Sequence, residues 1–330
     1  MRFGVIGAGG WGTAVARLLA NAGHETLLWA RDPSLASTID AQRRNDKYLP
    51  GIELPTDRLR VSSDLEDAAA HDVLVLAVPS FGMDEILRRL AELDLNRPVM
   101  ISLAKGIDRA SRRTMSELIE HHVPSASAFA LSGPSHAEEV GRDFPTAVVL
   151  AGRDLDLGRR LQYAIATPRF RVYLSDDLRG VELCATVKNI IALATGISDG
   201  IGYGDNSRGA LITRGLTEIV RFGRTFDVQE STFFGLSGLG DLVATCTSEH
   251  SRNRRVGFLL GRGQQLQEIL DGMDAVAEGV PATENVYAMA RERGIDMPIT
   301  EAVHRLLRGE VDPLSLVEEI MTRSPKREGI

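Results

Sequence analysis

With 330 residues, the chain is long for one domain and comfortable for two, and it can bury a sizeable core. Its 43% hydrophobic and 25% charged residues are ordinary for a soluble globular protein and exclude a collagen, a coiled coil or a disordered chain. A formal net charge of −7 argues against a general nucleic-acid binder, so anionic ligands must be held by a few placed cations. Two cysteines, Cys184 and Cys246, are too few for a disulfide framework or a thiolate metal site, and their apolar helical surroundings predict buried free thiols. The N-terminal apolar stretch is cut by glycines, unlike a signal-peptide core, and no run approaches the length of a membrane span. These features lead to the expectation of a cytoplasmic protein with no membrane partner.

The chain opens with an apolar run, Arg2 to Ile6, that drops into Gly7-Ala8-Gly9-Gly10-Trp11-Gly12-Thr13 before a helical pattern begins at Ala14. Strand, glycine turn and helix in this order, with Gly7, Gly9 and Gly12 at this spacing, predict a dinucleotide loop. It needs a tight turn, a bare backbone against a pyrophosphate, and close packing of helix on strand. The pyrophosphate would sit on the free N–H groups at the helix start. Glu25 to Trp29 reads as a second strand, and Asp32 lies 20 residues after Gly12, where a ribose-binding acid is expected. Asp32 suits the ribose hydroxyls of NAD and Arg31 the 2′-phosphate of NADP, so both NADH and NADPH stay open.

Asp46 to Gly51 reads as a polar loop running into a turn, Val61 to Ser63 as a short strand, and Asp64 to Ala68 as a helix start capped by Asp64 or Ser63. Asp72 to Ser80 is a continuous apolar run of the kind buried on both faces of a parallel sheet. Pro98 to Leu103 and Ala128 to Leu131 repeat it. Thr146 to Ala151 and Arg171 to Leu174 predict further strands, with a helix from about Asp156 to Ile165 between them. Such an open α/β sheet binds ligands beyond its strands' C-terminal ends, where Lys105 and Ser135 fall.

From Leu178 the strand-like runs give way to helical periodicity that persists to about Met321. Val181 to Thr195, Arg208 to Phe226, Gly238 to Thr245, Arg254 to Leu260, Thr283 to Arg293 and Ile299 to Arg308 all read as helices, and Thr322 to Ile330 as a charged, mobile tail. The predicted architecture is an N-terminal Rossmann-type doubly wound α/β domain, residues 1–180, followed by an all-α domain, residues 181–330.

Lys188 and Asn189 interrupt an otherwise apolar helix. A lysine there either snorkels to the surface or lines a site, and the helix alone favours snorkelling. A second cation such as Lys105 across a crevice would instead tune one lysine for acid/base work. Asp241 and Thr245 share a helix face, and the bland role for Asp241 is a cap. Ser251-Arg252-Asn253 offers a guanidinium fork and two neutral polar groups suited to phosphate, or else a solvated polar loop. His121-His122 ends a helix without partners at metal-ligand spacing, so no metal is expected. Ser237 lies in a glycine turn rather than a nucleophile elbow.

Together these stretches resemble the bacterial NAD(P)-dependent sn-glycerol-3-phosphate dehydrogenases. The matching segments are Gly7 to Ala14, Leu131 to Ala137, Val187 to Ile191, Gly204 to Gly215, Gly235 to Thr247 and Ser251 to Asn253, spread over nearly the whole chain. The resemblance implies that Lys188 is the general acid/base, with Asn189 beside it, and that Lys105 reaches both cofactor and substrate. Gly133 and Ser135 match substrate contacts, as do Asp241, Ser251, Arg252 and Asn253, with Thr245 grouped among them and Arg252 also near the cofactor. Gly7, Gly9, Gly10, Gly12, Trp11, Arg31, Asp32, Tyr48, Ala137, Val276 and Glu278 fall to the cofactor site. His136 and Ser237 stand where the family often has Phe and Ala. The implied reaction reduces dihydroxyacetone phosphate to sn-glycerol 3-phosphate for glycerophospholipid synthesis, in a homodimer. A related 3-hydroxy-acid dehydrogenase and a non-catalytic dinucleotide sensor are the alternatives.

Overall fold

In the computed structural model, which describes residues 1–273 and 276–322, the apolar runs of the N-terminal half line up as neighbouring strands. The order is β1 (Arg2–Ile6), α1 (Gly10–Asn21), β2 (Glu25–Trp29), α2 (Pro33–Gln42), β3 (Arg44–Asn45), β4 (Leu49–Glu53), β5 (Leu59–Ser62), α3 (Leu65–Ala69) and β6 (Val73–Leu76). Then come α4 (Ser80–Ala91), β7 (Val99–Ser102), α5 (Met115–His122), β8 (Ser127–Ser132), α6 (Ala137–Gly141), β9 (Thr146–Gly152), α7 (Leu155–Ile165) and β10 (Phe170–Ser175). Eight strands form one sheet in the order β10-β9-β8-β7-β6-β1-β2-β5. Because side chains alternate across a strand, Phe3, Val5 and Leu28 enter one core layer, and Ile6, Leu27 and Trp29 the other. Helices cover both layers, which is why the strands read as unbroken apolar runs.

Two sequence expectations are corrected here, and one open alternative is resolved. The sheet is not parallel throughout, since β9 pairs antiparallel with β8. The connection from β8 to β9 holds only the five-residue α6, not the longer crossover helix that joins parallel neighbours elsewhere in the sheet. The polar stretch from Asp46 is the turn of an antiparallel β3–β4 hairpin rather than a loop. Its register is irregular between Arg44 and Asn45, and that irregularity breaks the alternation a sequence pattern needs. Asp64, not Ser63, caps α3, accepting from the Glu66 N–H at 2.9 Å.

The chain divides into two compact units, Met1–Glu182 and Leu183–Ile330, and the division falls inside α8 (Leu178–Ile201). The second unit continues through α9 (Asp205–Gly223), α10 (Glu230–Phe233), a π-helical turn at Leu236–Gly240, α11 (Asp241–Thr247) and α12 (Arg252–Gly261). It closes with α13 (Leu266–Asp271), α14 (Gly279–Arg293), α15 (Pro298–Leu307) and α16 (Pro313–Met321). Among the described residues it contains no strand. The predicted single helix from Gly238 is thus split. The tail beyond Thr322 lies outside the described residues.

Helix α8 also corrects the expectation about membrane-length runs. It is 24 residues long and holds an 18-residue window of mean hydropathy 1.4, enough to cross a membrane by length and composition alone, and that window is wholly buried inside the protein. Scattered Thr, Lys and Asn residues mask that average when the run is inspected residue by residue. The helix is covered by α12 through a reciprocal glycine contact. A Cβ on Gly196 or Gly200 would lie 2.1 Å from the Arg254 carbonyl oxygen or 2.2 Å from that of Phe258. Conversely, one on Gly257 or Gly261 would lie 2.1 Å from the Leu193 carbonyl oxygen or 2.3 Å from that of Ile197. The two backbones therefore touch directly, which only glycine permits. Gly257→Ala is expected to lower stability by about 2 kcal/mol, the order of a core overpacking defect, read as a fall in the thermal midpoint. An unchanged midpoint would contradict the close crossing.

Glu218 on α9 is buried and caps α15 from a distance. Its carboxylate accepts from the Ile299 N–H at 2.5 Å, the Thr300 N–H at 3.1 Å and the Thr300 hydroxyl at 2.9 Å. Burial pushes it up to about 7, against the pull of those donors. Glu182, whose carboxylate accepts from the Ser116 N–H at 2.8 Å, is likewise pushed by burial to about 7. A carboxyl raised in the folded state contributes its proton-linked stability fully below its ordinary value of 4.5 and loses it as the pH rises through about 7. Thermal melts should show this component of stability declining from pH 5 to pH 7.5, and Glu218→Gln should flatten that decline. A slope unaffected by the substitution would show that Glu218 ionises normally.

Candidate active site

In the first unit the glycine turn is built for close backbone approach. Gly7 adopts φ +119°, and a Cβ there would lie 2.6 Å from the Ala77 carbonyl oxygen. A Cβ on Gly12 would lie 1.9 Å from the Gly7 carbonyl oxygen, so helix and strand pack backbone to backbone. Gly9 differs, because nothing lies within 4 Å of its added Cβ. Gly9 is the N-cap of α1 and makes no side-chain cap, leaving a bare helix start open to an anion. The Trp11 Nε1, buried in the first turn of α1, has no hydrogen-bond partner. The residues present therefore fit a dinucleotide, with the three glycines in the three distinct roles the loop requires.

Two further segments close on this loop. A Cβ on Gly10 would lie 2.7 Å from the Tyr48 carbonyl oxygen and 3.6 Å from the Ala137 Cβ, so both sequence-predicted residues border the turn. The β3–β4 hairpin is fastened there by Asn45, which donates to the Ala8 carbonyl oxygen at 2.9 Å and to the Thr13 hydroxyl at 2.8 Å. Sequence reasoning missed Asn45, since an asparagine in a polar stretch carries no signal of burial. Arg31 and Asp32 are exposed at the end of β2. Asp32 already caps α2, accepting from the Ser34 N–H at 2.9 Å, so one carboxylate oxygen is engaged.

Beyond β7 and β8, Lys105 and Ser135 converge on one acceptor. The Gly133 carbonyl oxygen receives the Lys105 Nζ at 3.0 Å and the Ser135 hydroxyl at 2.9 Å. Gly133 is at φ +134° with Val148 against it, so the turn that presents this carbonyl admits no side chain without strain. His136 is the N-cap residue of α6 and makes no side-chain cap. His122 pairs with Asp84 at 2.8 Å.

In the second unit Lys188 does not snorkel. It is 3% exposed, with its Nζ 2.6 Å from the Thr245 hydroxyl and 3.2 Å from the Asp241 Oδ1. Asp241, 2% exposed, is the first residue of α11 rather than its N-cap, which is Gly240, and its carboxylate faces the lysine. The Thr245 hydroxyl donates back to the Asp241 carbonyl oxygen at 2.6 Å, one turn earlier. A buried ammonium requires a hydrogen-bonded counter-charge, and this pair supplies it. Ser237 occupies the π-helical turn that delivers Asp241, rather than a plain glycine turn. Cys246 next to Thr245 is buried and its thiol is pushed up to about 12 by burial, so it is inert; Cys184 is likewise a buried free thiol.

Ser251-Arg252-Asn253 is a helix start, not a solvated loop. Ser251 caps α12 by accepting from the Arg254 N–H at 3.2 Å. Asn253 donates to the Asn189 Oδ1 at 2.9 Å and accepts the Gly279 N–H at 2.8 Å. Asn189 in turn donates to the Ala185 carbonyl oxygen at 3.1 Å. Arg252 is exposed and donates to the Val276 carbonyl oxygen at 3.0 Å. Val276 and Glu278 lie just before α14, and Arg252 ties Val276 to the first turn of α12. The second unit thus buries two polar groups that meet at adjacent residues of α8, Lys188 with Asp241 and Thr245, and Asn189 with Asn253 at the start of α12 capped by Ser251, and the first gathers the glycine loop, Trp11, Tyr48 and Ala137.

A Rossmann-type unit with this turn, followed by a helical unit holding a buried lysine–aspartate pair, belongs to the two-domain nicotinamide-dependent oxidoreductases. Residues 2–157 match the N-terminal and residues 177–318 the C-terminal part of the family described as NAD-dependent glycerol-3-phosphate dehydrogenase. The chain is 46% identical to glycerol-3-phosphate dehydrogenase [NAD(P)+] of Nitratidesulfovibrio vulgaris strain DP4 over 99% of its length and 100% of the relative's. It is 47% identical to the enzyme of the same name from Geobacter metallireducens, over 99% of this chain and 98% of that one. A crystal structure of glycerol-3-phosphate dehydrogenase from Coxiella burnetii superposes with a TM-score of 0.93 at 40% identity, covering 96% of this chain and 98% of the other. The chain belongs to the NAD-dependent glycerol-3-phosphate dehydrogenase family.

Asn45→Ala removes two buried hydrogen bonds that hold the hairpin to the glycine turn. Loss of about 1 to 3 kcal/mol is the usual cost of leaving such groups unsatisfied. NADPH affinity, followed by fluorescence titration, is expected to fall about tenfold, the equivalent of 1.4 kcal/mol. Unaltered affinity would detach the hairpin from the cofactor site.

Proposed function

We infer that the protein interconverts dihydroxyacetone phosphate and sn-glycerol 3-phosphate with NADH or NADPH. The observation that carries the reading is the buried Lys188 ammonium against Asp241 and Thr245, in a chain of this family. Residues 1–180 are assigned to cofactor binding and residues 181–330 to substrate binding and catalysis. Gly7, Gly9, Gly10 and Gly12 leave backbone N–H groups for the pyrophosphate, with Trp11, Tyr48, Ala137, Val276 and Glu278 around the cofactor and Arg31 and Asp32 at its ribose end.

The reduced nicotinamide, when bound, supplies the hydride. Arg252, with Ser251 and Asn253 at the start of α12, holds the substrate phosphate, where a helix N-terminus and a guanidinium act together. Fixing the substrate by its phosphate lowers the entropic barrier by on the order of several kcal/mol. As the carbonyl oxygen gains negative charge, the Lys188 Nζ stabilises it and donates the proton. Asp241 favours the ammonium form of Lys188 before transfer, and Thr245 fixes the direction of its Nζ. Asn189 and Lys105 help to hold the oxygen, with Gly133 and Ser135 completing the substrate contacts. In the reverse direction Lys188 takes the hydroxyl proton. The reading extends, on the family resemblance of the sequence motifs, to a cytoplasmic homodimer that supplies glycerol 3-phosphate for glycerophospholipid synthesis.

Loss of nicotinamide absorbance on adding dihydroxyacetone phosphate tests the reaction, and rates with NADPH and NADH assign the ribose end to Arg31 or Asp32. Lys188→Ala should lower kcat by at least ~10²-fold, the scale of a lost general acid, while NADPH binding is retained. Normal turnover would remove Lys188 from the chemistry. Arg252→Ala should chiefly raise KM for the phosphate substrate, and an unaltered KM would place the phosphate elsewhere.

A further inference from the structure

The first turn of α12 is held by a carboxylate outside the reaction scheme. Asp199, near the C-terminal end of α8, has a side chain 6% exposed. Its Oδ2 accepts a hydrogen bond from the Arg254 Nε at 2.8 Å and lies in ion-pair contact with the same residue's Nη2 at 2.7 Å, and its Oδ1 accepts from the Arg208 Nη2 at 2.9 Å. Arg254 follows Asn253 directly and lies two residues after Arg252. Its own N–H is taken by the Ser251 cap, and its carbonyl oxygen is pressed against Gly196. Backbone and side chain of this one residue are therefore both fixed to α8 or to the cap.

We propose that Asp199 is a positioning residue for the phosphate end of the substrate, acting through Arg254 on the first turn of α12. The inference rests on the reading of that turn as the phosphate site. A charge-assisted contact by two guanidinium nitrogens sets both the place and the orientation of Arg254, which a single-point contact does not. The glycine crossing alone stops α12 from moving toward α8, but bare backbones in contact do not oppose sliding along the helix axis. The guanidinium–carboxylate contact supplies the missing restraint. Arg208 holds the second carboxylate oxygen and so keeps Asp199 itself in place. This gives a role to Arg208 of the Gly204 to Gly215 segment, which the reaction scheme leaves unused.

The charges make the test depend on sign. Arg208 also pairs with Asp205 on the surface at 2.5 Å, whereas Asp199 is the buried carboxylate between the two guanidiniums, so Asp199→Asn removes one negative charge close to an anionic substrate while removing the anchor. A purely electrostatic role predicts a lower KM, and a positioning role a higher one. Steady-state NADPH oxidation with dihydroxyacetone phosphate, with inorganic phosphate as a competing anion, is expected to show KM and the phosphate inhibition constant of Asp199→Asn both raised about tenfold. The factor lost in kcat should be smaller, and KM for NADPH should stay within twofold. Arg254→Lys, which keeps the charge and loses the fork, should raise KM by an intermediate factor and serves if Asp199→Asn fails to fold. A KM that falls, or one unchanged in both variants with only the folded fraction reduced, overturns the proposal. Absence of turnover in the unmodified protein overturns the proposed function and the inference with it, whereas normal turnover with an unaltered KM in the variants overturns the inference alone.

Discussion

A positive charge at the middle of the long apolar helix α8 is the constraint on which the second unit depends. Lys188 is buried as deeply as the leucines around it, and an uncompensated ammonium in such a place costs several kcal/mol. The fold answers with a carboxylate delivered by a π-helical turn and a hydroxyl four residues further along α11. Turns of that kind are found where backbone regularity yields to the placement of a functional group. Here the turn leads straight into α11, so that Asp241 and Thr245 share one face toward the lysine.

The same helix supplies the second constraint. Four glycines, two on α8 and two on α12, remove every side chain from the line of contact, so the start of α12 lies as close to Asn189 as backbone volume allows. The Asn253–Asn189 bond and the Gly279–Asn253 bond follow from that proximity. Gly279 is subject to the same restriction, since its added Cβ would lie 2.7 Å from the Asn189 carbonyl oxygen. Polar residues from α8, α12 and α14 are thus brought into one network by the absence of side chains elsewhere.

Much of this was legible in the sequence, and the exceptions have a common cause. Strands β1 and β2 fall where the apolar runs put them, because both faces are buried and local composition is enough. The Asp64 cap and the glycine loop were readable for a similar reason: each is a local backbone requirement met by a particular residue type. What escaped depends on distant partners. The reversal of β9 follows from the shortness of α6, and the burial of Lys188 from Asp241 53 residues later, so helical position alone suggested snorkelling. The family motifs led to Lys188, Asp241 and Arg252, whereas Asn45 and Asp199 have no local signature and emerge only from their hydrogen bonds.

Helix α8 also bears on how the chain is made. A segment with the hydropathy of a membrane span emerges from the ribosome well before α12, whose glycines it must meet. Sixty residues separate Ile201 from Gly261, which at 5–20 residues per second is a delay of about 3 to 12 s. During that interval α8 has none of its α12 cover, and folding of the second unit must wait for the chain to reach it. The helix that houses the lysine is therefore also a segment whose apolar surface waits for its cover during synthesis.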